Sequence, residues 1–158
     1  MKMLVVLGEG GHTSELLNLV DLLGDNYEYH YIVSAEDNLS KGRIRLPGEV
    51  YVLPRPRGKD TKAILAIWLT LVAALKALVI LLRVRPQAIL STGPAIAVPV
   101  FMLGKLLGRK IIFVETGSRI QSLSLTGQIM YRWADLFFVQ WPQLAEKLPK
   151  AIFAGRLI

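Results

Sequence analysis

The chain has 158 residues and no cysteine, so disulfide and thiolate chemistry are excluded, and a reducing compartment is the expected setting. A length of this order supports one domain with a real core, and 53% hydrophobic residues point towards a membrane or a large partner surface. The formal net charge is +7, unevenly spread: residues 41–110 hold 13 Lys/Arg against 2 Asp/Glu, the remainder 6 against 10. A basic middle section attracts nucleic acid or anionic lipid head groups. The first apolar run, ended by Gly8, is too short for the core of a signal peptide.

That run, residues 3–7, is aliphatic without polar alternation and reads as a strand buried on both faces. Gly8, Gly10 and Gly11 follow it, then a helix with Leu16, Leu17, Val20 and Leu23 on one side and Thr13 or Ser14 as its cap. Strand, glycine turn and helix make a phosphate-binding corner, with free N–H groups and a positive helix end facing an anion. His12 stands at its lip, and an imidazole titrates near neutrality. The dinucleotide fingerprint would need glycine where Thr13 stands, and a P-loop would need a lysine. A tight turn without ligand, with His12 as a capping or packing residue, is the alternative.

Residues 29–34 form the second expected strand, 35–46 a polar, basic loop or short irregular helix, and 49–53 a third strand stopped by Pro54 and Pro56. Arg55, Arg57, Lys59 and Lys62 are a basic cluster. Residues 63–82 contain only Thr70 and Lys76 as polar members, and a helix of that length reaches about 30 Å, the thickness of a bilayer core. A transmembrane span would separate the strands on either side of it, and basic flanks at both ends select no orientation. The expectation is therefore a long crossover helix. Its Ile64, Trp68, Leu71, Leu75, Leu78 and Leu82 are expected to cover the sheet, and its other apolar side to press against lipid head groups. Trp68, Leu71 and Lys76, with Arg55, Arg57, Lys59, Lys62, Arg83 and Arg85, are the candidate membrane contacts. Burial by a partner protein is the alternative. Nucleic-acid binding is not expected, since residues 41–62 offer only Tyr51 as an aromatic.

The strand–loop–helix rhythm resumes with a strand at 88–90, a turn at 91–94 and a helix at 96–107. A strand follows at 110–114, a loop at 115–119 and a helix at 125–133. The last elements are strands at 136–139 and 151–153 around a brief helix at 143–148. The fold class is α/β, a Rossmann-like, mostly parallel sheet with helices on both faces. Ligands bind beyond the carboxyl ends of such strands, where loops 8–12, 91–94, 115–119 and 140–142 fall. His12 and Glu15 stand three apart, but no second such pair completes a metal site, and no serine occupies a nucleophile elbow. His12, Glu115, Arg119 and backbone N–H groups suit proton removal from a hydroxyl and the handling of a diphosphate. Glu115 emerges from a buried strand, where desolvation strengthens a carboxylate as a base; a salt bridge to Arg119 is the alternative. No cofactor is expected.

Several stretches together resemble a known family: Gly8-Glu9-Gly10-Gly11-His12-Thr13-Ser14-Glu15, Ser91-Thr92-Gly93-Pro94-Ala95, Phe113-Val114-Glu115-Thr116-Gly117-Ser118-Arg119, Ser124-Leu125-Thr126-Gly127 with Tyr131-Arg132-Trp133-Ala134-Asp135, Phe138-Val139-Gln140-Trp141-Pro142 and Gly155-Arg156-Leu157. They resemble the membrane-associated, acceptor-side subunit of the bipartite UDP-N-acetylglucosamine transferase of lipid-linked oligosaccharide synthesis, and its bacterial polysaccharide relatives. More distantly, the chain is similar to the N-terminal half of the peptidoglycan lipid-linked N-acetylglucosaminyltransferase.

The resemblance implies the N-terminal half of an inverting, metal-independent GT-B glycosyltransferase, inactive alone. A separate donor-binding subunit would complete a heterodimer on the cytoplasmic face of a membrane. The UDP-sugar and a polyprenyl-diphosphate-linked acceptor would be the substrates. On this basis His12 and Glu115 are the candidate catalytic bases. Gly10, Gly11, Thr13, Thr92, Gly93, Gly117, Ser118 and Arg119 are the candidate substrate and diphosphate contacts. Many relatives carry an N-terminal anchor; a first strand beginning at residue 3 shifts membrane attachment to residues 63–82. A non-catalytic membrane adaptor, a subunit using another UDP-sugar and a stand-alone nucleotide binder are the alternatives.

Overall fold

The computed structural model describes residues 1–8, 10–37, 39–54 and 63–157. Arg55, Arg57, Lys59 and Lys62, four of the candidate membrane contacts, lie outside the described residues. The elements run β1 (Lys2–Val6), α1 (Gly11–Leu23), β2 (Glu28–Ser34), α2 (Ser40–Arg43), β3 (Gly48–Leu53), α3 (Ala63–Val84), β4 (Ala88–Ser91), α4 (Ala97–Leu106), β5 (Lys110–Val114), α5 (Leu125–Trp133), β6 (Leu136–Val139), α6 (Pro142–Lys147) and β7 (Ala151–Phe153).

The seven strands pair in the order β3-β2-β1-β4-β5-β6-β7, every pairing parallel. Strand side chains alternate between faces, and the two core clusters follow that alternation. Met3, Val5 and Leu7 pack with Leu16, Leu17 and Val20 of α1 on one face. Leu4, Val6, Ile89, Ile111 and Phe113 pack with Ala77, Leu81, Val100, Phe101 and Met130 of α3, α4 and α5 on the other. The winding reverses between β1 and β4, which pair from Met3↔Ala88 to Val6↔Ser91. The Ser91 hydroxyl donates to the Val6 carbonyl at 2.7 Å across that seam.

Two expectations are corrected. The first concerns α1. Its cap is Gly10, with φ 62° and ψ −124° and no side-chain capping bond, rather than Thr13 or Ser14. The helix begins at Gly11, so both residues already lie within its first turn and Thr13 faces inward.

The second concerns α3. Ala73, Ala77, Ile80, Leu81 and Val84 are its buried residues, while Trp68, Leu71, Leu75 and Leu82 are exposed and Leu78 is half-buried. The side chain of Ile64 lies outside the description. A helix apolar on every side has no face that periodicity can reveal. The small Ala73 and Ala77 permit a close approach, and packing chose them.

The helix α3 has 22 residues, about 33 Å, against strands of three to seven residues. It runs back from the carboxyl end of β3 to the amino end of β4. Among its described side chains burial begins at Ala73, so its first turns overhang the carboxyl rim of the sheet. An 18-residue window, Ile67–Val84, is long and apolar enough to cross a membrane by length and composition, and 28% of it is buried.

Asp135 closes the far end of the sheet. It accepts from the Ile111 N–H at 2.8 Å and from Lys105 Nζ at 2.7 Å. Burial opposes its ionisation, but those two donors outweigh burial and hold the carboxyl below its ordinary value.

Gly48 opens β3 where a Cβ would strike the Tyr29 carbonyl oxygen and come within 2.7 Å of Tyr31 Cε2. Backbone cannot yield as a side-chain end can. Gly48→Ala is expected to cost about 2 kcal/mol and to lower the melting temperature by about 4–8 °C, as read by calorimetry.

Candidate functional site

Where the loops after β1 and β4 diverge, a cleft of about 360 Å³ opens at the carboxyl rim, lined by Gly8, His12, Ser34, Gly93, Pro94, Ala95 and Ile96. This is the crevice that an open parallel sheet creates where its winding reverses. Its walls are close because of two glycines. A Cβ on Gly8 would lie 2.9 Å from Pro94 Cβ and 3.1 Å from His12 Cβ, and one on Gly93, at φ 87°, would lie 2.7 Å from the Phe113 ring. Gly10 and Gly11, in contrast, have nothing within 4 Å of an added Cβ. The first intrahelical bond of α1 runs from Ser14 N to Gly10 O, so the N–H groups of Gly11, His12 and Thr13 precede the ladder.

His12 is half-buried beside the cleft, and its Nδ1 is shielded from water with no hydrogen-bond partner. Its backbone is held by the Thr92 hydroxyl, which donates to His12 O at 3.0 Å. Thr92 is buried and spent on this bond. Thr13 is fully buried as well: its hydroxyl donates to Gly8 O and meets Ser40 Oγ at 2.9 Å. Ser40 is fixed in turn by Asp37, which accepts from the Ser40 N–H at 2.9 Å. Both threonine hydroxyls are thus bonded to the backbone of the glycine turn.

Glu115 is 1% exposed. Oε1 accepts from Thr116 N at 3.0 Å, and Oε2 accepts from Ser124 N at 2.9 Å and Ser124 Oγ at 3.0 Å. Ser124 Oγ also accepts from Gly127 N at 2.9 Å and so caps α5. The carboxylate thus ties the carboxyl end of β5 to the start of α5. No salt bridge joins it to Arg119 among the described residues. Arg119 and Ser118 are exposed on the rim, and Gly117 is buried beneath it.

Sequence reasoning weighed Glu15 only as half of a metal pair with His12, and the structure makes it a second such carboxylate. Glu15, three residues after His12, is buried in the same network. Its Oε1 accepts from Thr116 Oγ1 at 3.0 Å and Gly117 N at 3.1 Å, and its Oε2 from Gln140 Nε2 at 3.2 Å. Gln140 Nε2 also donates to Glu115 O at 3.1 Å, while its Oε1 accepts from Leu157 N at 2.8 Å. Trp141 Nε1 donates to Gly117 O at 2.6 Å beneath the Arg156 guanidinium, which lies 3.9 Å from the ring centroid. Ser34, at the end of β2, and Arg43, whose Nη1 donates to Ser14 Oγ at 3.2 Å, were also passed over. The signal for Ser34 and Gln140 was a polar residue closing an apolar strand.

Solved structures define the class. MurG from Acinetobacter baumannii superposes with a TM-score of 0.71 at 19% identity, over 90% of this chain and 42% of MurG. UDP-GlcNAc 2-epimerase from Methanocaldococcus jannaschii superposes with a TM-score of 0.74 at 14% identity, over 99% of this chain and 46% of the epimerase. The chain spans less than half of each, and the fold is one Rossmann-like half of the GT-B type.

The family follows from sequence: the model described as "Oligosaccharide biosynthesis protein Alg14 like" matches residues 3–157, and the chain belongs to that family. It is 33% identical over 180 aligned residues to the UDP-N-acetylglucosamine transferase subunit ALG14 of Homo sapiens, covering 100% of this chain and 83% of the relative. It is 34% identical over 172 residues to the subunit so named in Schizosaccharomyces pombe, covering 97% and 81%.

The Glu115 cage consists of donors only. An amide at position 115 would set its own N–H groups against Thr116 N or against Ser124. Glu115→Gln is therefore expected to destabilise by about 2 kcal/mol, the cost of an unmet buried bond. Thermal unfolding would show it as a loss of about 4–8 °C.

Proposed function

We propose that this chain is the acceptor-side subunit of a two-chain UDP-N-acetylglucosamine transferase that acts on a polyprenyl-diphosphate-linked sugar at a membrane surface. One observation carries the reading: in a chain of this family, an imidazole with an unpartnered nitrogen borders the cleft at the reversal of the sheet. The acceptor hydroxyl enters the cleft and its oxygen attacks C1 of the donor sugar. The new C1–O bond forms as the bond from C1 to UDP breaks, and UDP departs with the bonding pair. His12 takes the hydroxyl proton. A single displacement inverts C1.

The Gly10–Gly11 corner supplies open N–H groups and the positive end of α1 to a phosphate, with Arg119 on the same rim. Glu115 positions the rim and α5, because its oxygens are already taken. The second subunit supplies the other half of the GT-B cleft and most of the donor contacts.

Membrane docking falls to α3. Ile67 and Trp68 are 70% and 62% exposed, with Leu71, Leu75, Val79 and Leu82 exposed further along. Lys76, Arg83 and Arg85 provide cations for anionic head groups. The overhanging end of α3 lies at the same rim as the cleft, so a lipid-linked sugar can reach His12 without leaving the bilayer surface.

Transfer from UDP-N-acetylglucosamine to a lipid-diphosphate sugar, assayed with each subunit alone and with both, tests the reading. Product is expected only with both, and product from this chain alone would refute the two-chain model. In the reconstituted pair His12→Ala should lower kcat by about 10²–10⁴-fold, the usual worth of a general base, with the melting temperature retained. Trp68→Glu with Leu71→Glu should weaken binding to anionic vesicles by at least about tenfold through lost apolar burial, with soluble-state folding intact by circular dichroism.

A further inference from the structure

The cleft has a second polar group that lacks a partner. Ser34 is 4% exposed, lines the cleft opposite the β4 loop, and its Oγ forms no hydrogen bond. Its carbonyl is used: Ser34 O accepts from Asp37 N at 3.0 Å, and Ser34 pairs with Leu53 in the β2–β3 register. A buried hydroxyl can rotate to find an acceptor, and few native ones remain unmatched. Here the two residues that carry the orphaned hydroxyl and the orphaned Nδ1, Ser34 and His12, line one cavity. The lining is otherwise glycine, proline, alanine and isoleucine, and among the described lining residues His12 is the one ionisable side chain.

We propose that Ser34 is the residue by which the cleft recognises the acceptor sugar. Its Oγ exchanges a hydrogen bond with a ring hydroxyl next to the one that His12 deprotonates. Among the described residues the lining has no carboxylate, lysine or arginine, and with its two polar anchors it suits a neutral polyhydroxy ring whose apolar face lies on Pro94 and Ile96. It offers nothing to a dianion. The diphosphate therefore remains outside, at the N–H groups of Gly10 and Gly11, and the cleft holds the sugar. This assignment rests on the transferase reading above and adds to it which part of the acceptor enters and what grips it.

The test is Ser34→Ala in the reconstituted pair. It is run with UDP-N-acetylglucosamine and a series of short-chain lipid-diphosphate sugars, each with one hydroxyl replaced by hydrogen. The acceptor KM should rise about tenfold, the worth of one neutral hydrogen bond, with the donor KM unchanged. On one deoxy acceptor, and no other, the variant and the wild type should become equal. The isolated variant should melt at or above the wild-type temperature, because the lost hydroxyl had no partner in the fold. An unchanged acceptor KM, a shift in donor KM alone, or an equal penalty on every deoxy acceptor would overturn the assignment while leaving the transferase reading in place. A wild-type pair that forms no product with any acceptor removes the reading and the assignment together.

Discussion

Beneath the loops after β5 and β6 the carboxylates of Glu15 and Glu115 are buried with no cation partner among the described residues. Among the described residues the ion pairs involve other groups, while Glu15 and Glu115 are 6% and 1% exposed. A buried charge persists only where hydrogen bonds replace its water. Each oxygen of this pair is matched by neutral donors, most of them backbone or hydroxyl groups of the rim loops. Such donors are directional, and a lysine or arginine would tolerate far more movement. The loops after β5 and β6, the start of α5 and the Leu157 strap therefore have one arrangement in which both charges are solvated. The rim owes its shape to that requirement.

A rim fixed from beneath leaves the cleft side free for chemistry. Thr13 and Thr92 face inward and secure the turn around His12, so the imidazole is placed by backbone bonds and keeps a nitrogen unpaired. The division of labour is spatial. The Glu15 and Glu115 oxygens below the rim are satisfied, and His12 and Ser34, each with an orphaned polar atom, line the cavity. The same rim is overhung by the apolar turns of α3, which brings an exposed apolar surface and a polar cleft to one end of the sheet.

Much of this was legible beforehand. Residues 125–133, 136–139 and 151–153 coincide with α5, β6 and β7, because glycine, proline and capping serine punctuate short apolar runs there. The switch-point loops were legible from their small and polar composition. The orientation of α3 was not, since an all-apolar helix has no polar side to mark its outside. Nor were the hydrogen-bond partners of Thr13 and Glu115. A hydroxyl or carboxylate beside a glycine loop looks the same in sequence whether it faces a ligand or the protein, and only the positions of the donors decide. Ser34 was missed because a single serine ending a buried strand is ordinary until the cavity beyond it is seen.

The seam between β1 and β4 also governs how the chain assembles. Val6 and Ser91 join across 85 positions, and closing so long a loop carries an entropic cost before any contact offsets it. During synthesis β1, β2 and β3 emerge first, followed by α3, and the strand that completes the centre of the sheet comes later still. Throughout that interval α3 has no β4 or α4 to cover its alanine face. A nascent chain in this condition exposes apolar helix on every side, and a nearby bilayer offers it shelter from aggregation. The topology that creates the cleft thus leaves the long helix uncovered until the second half of the sheet arrives.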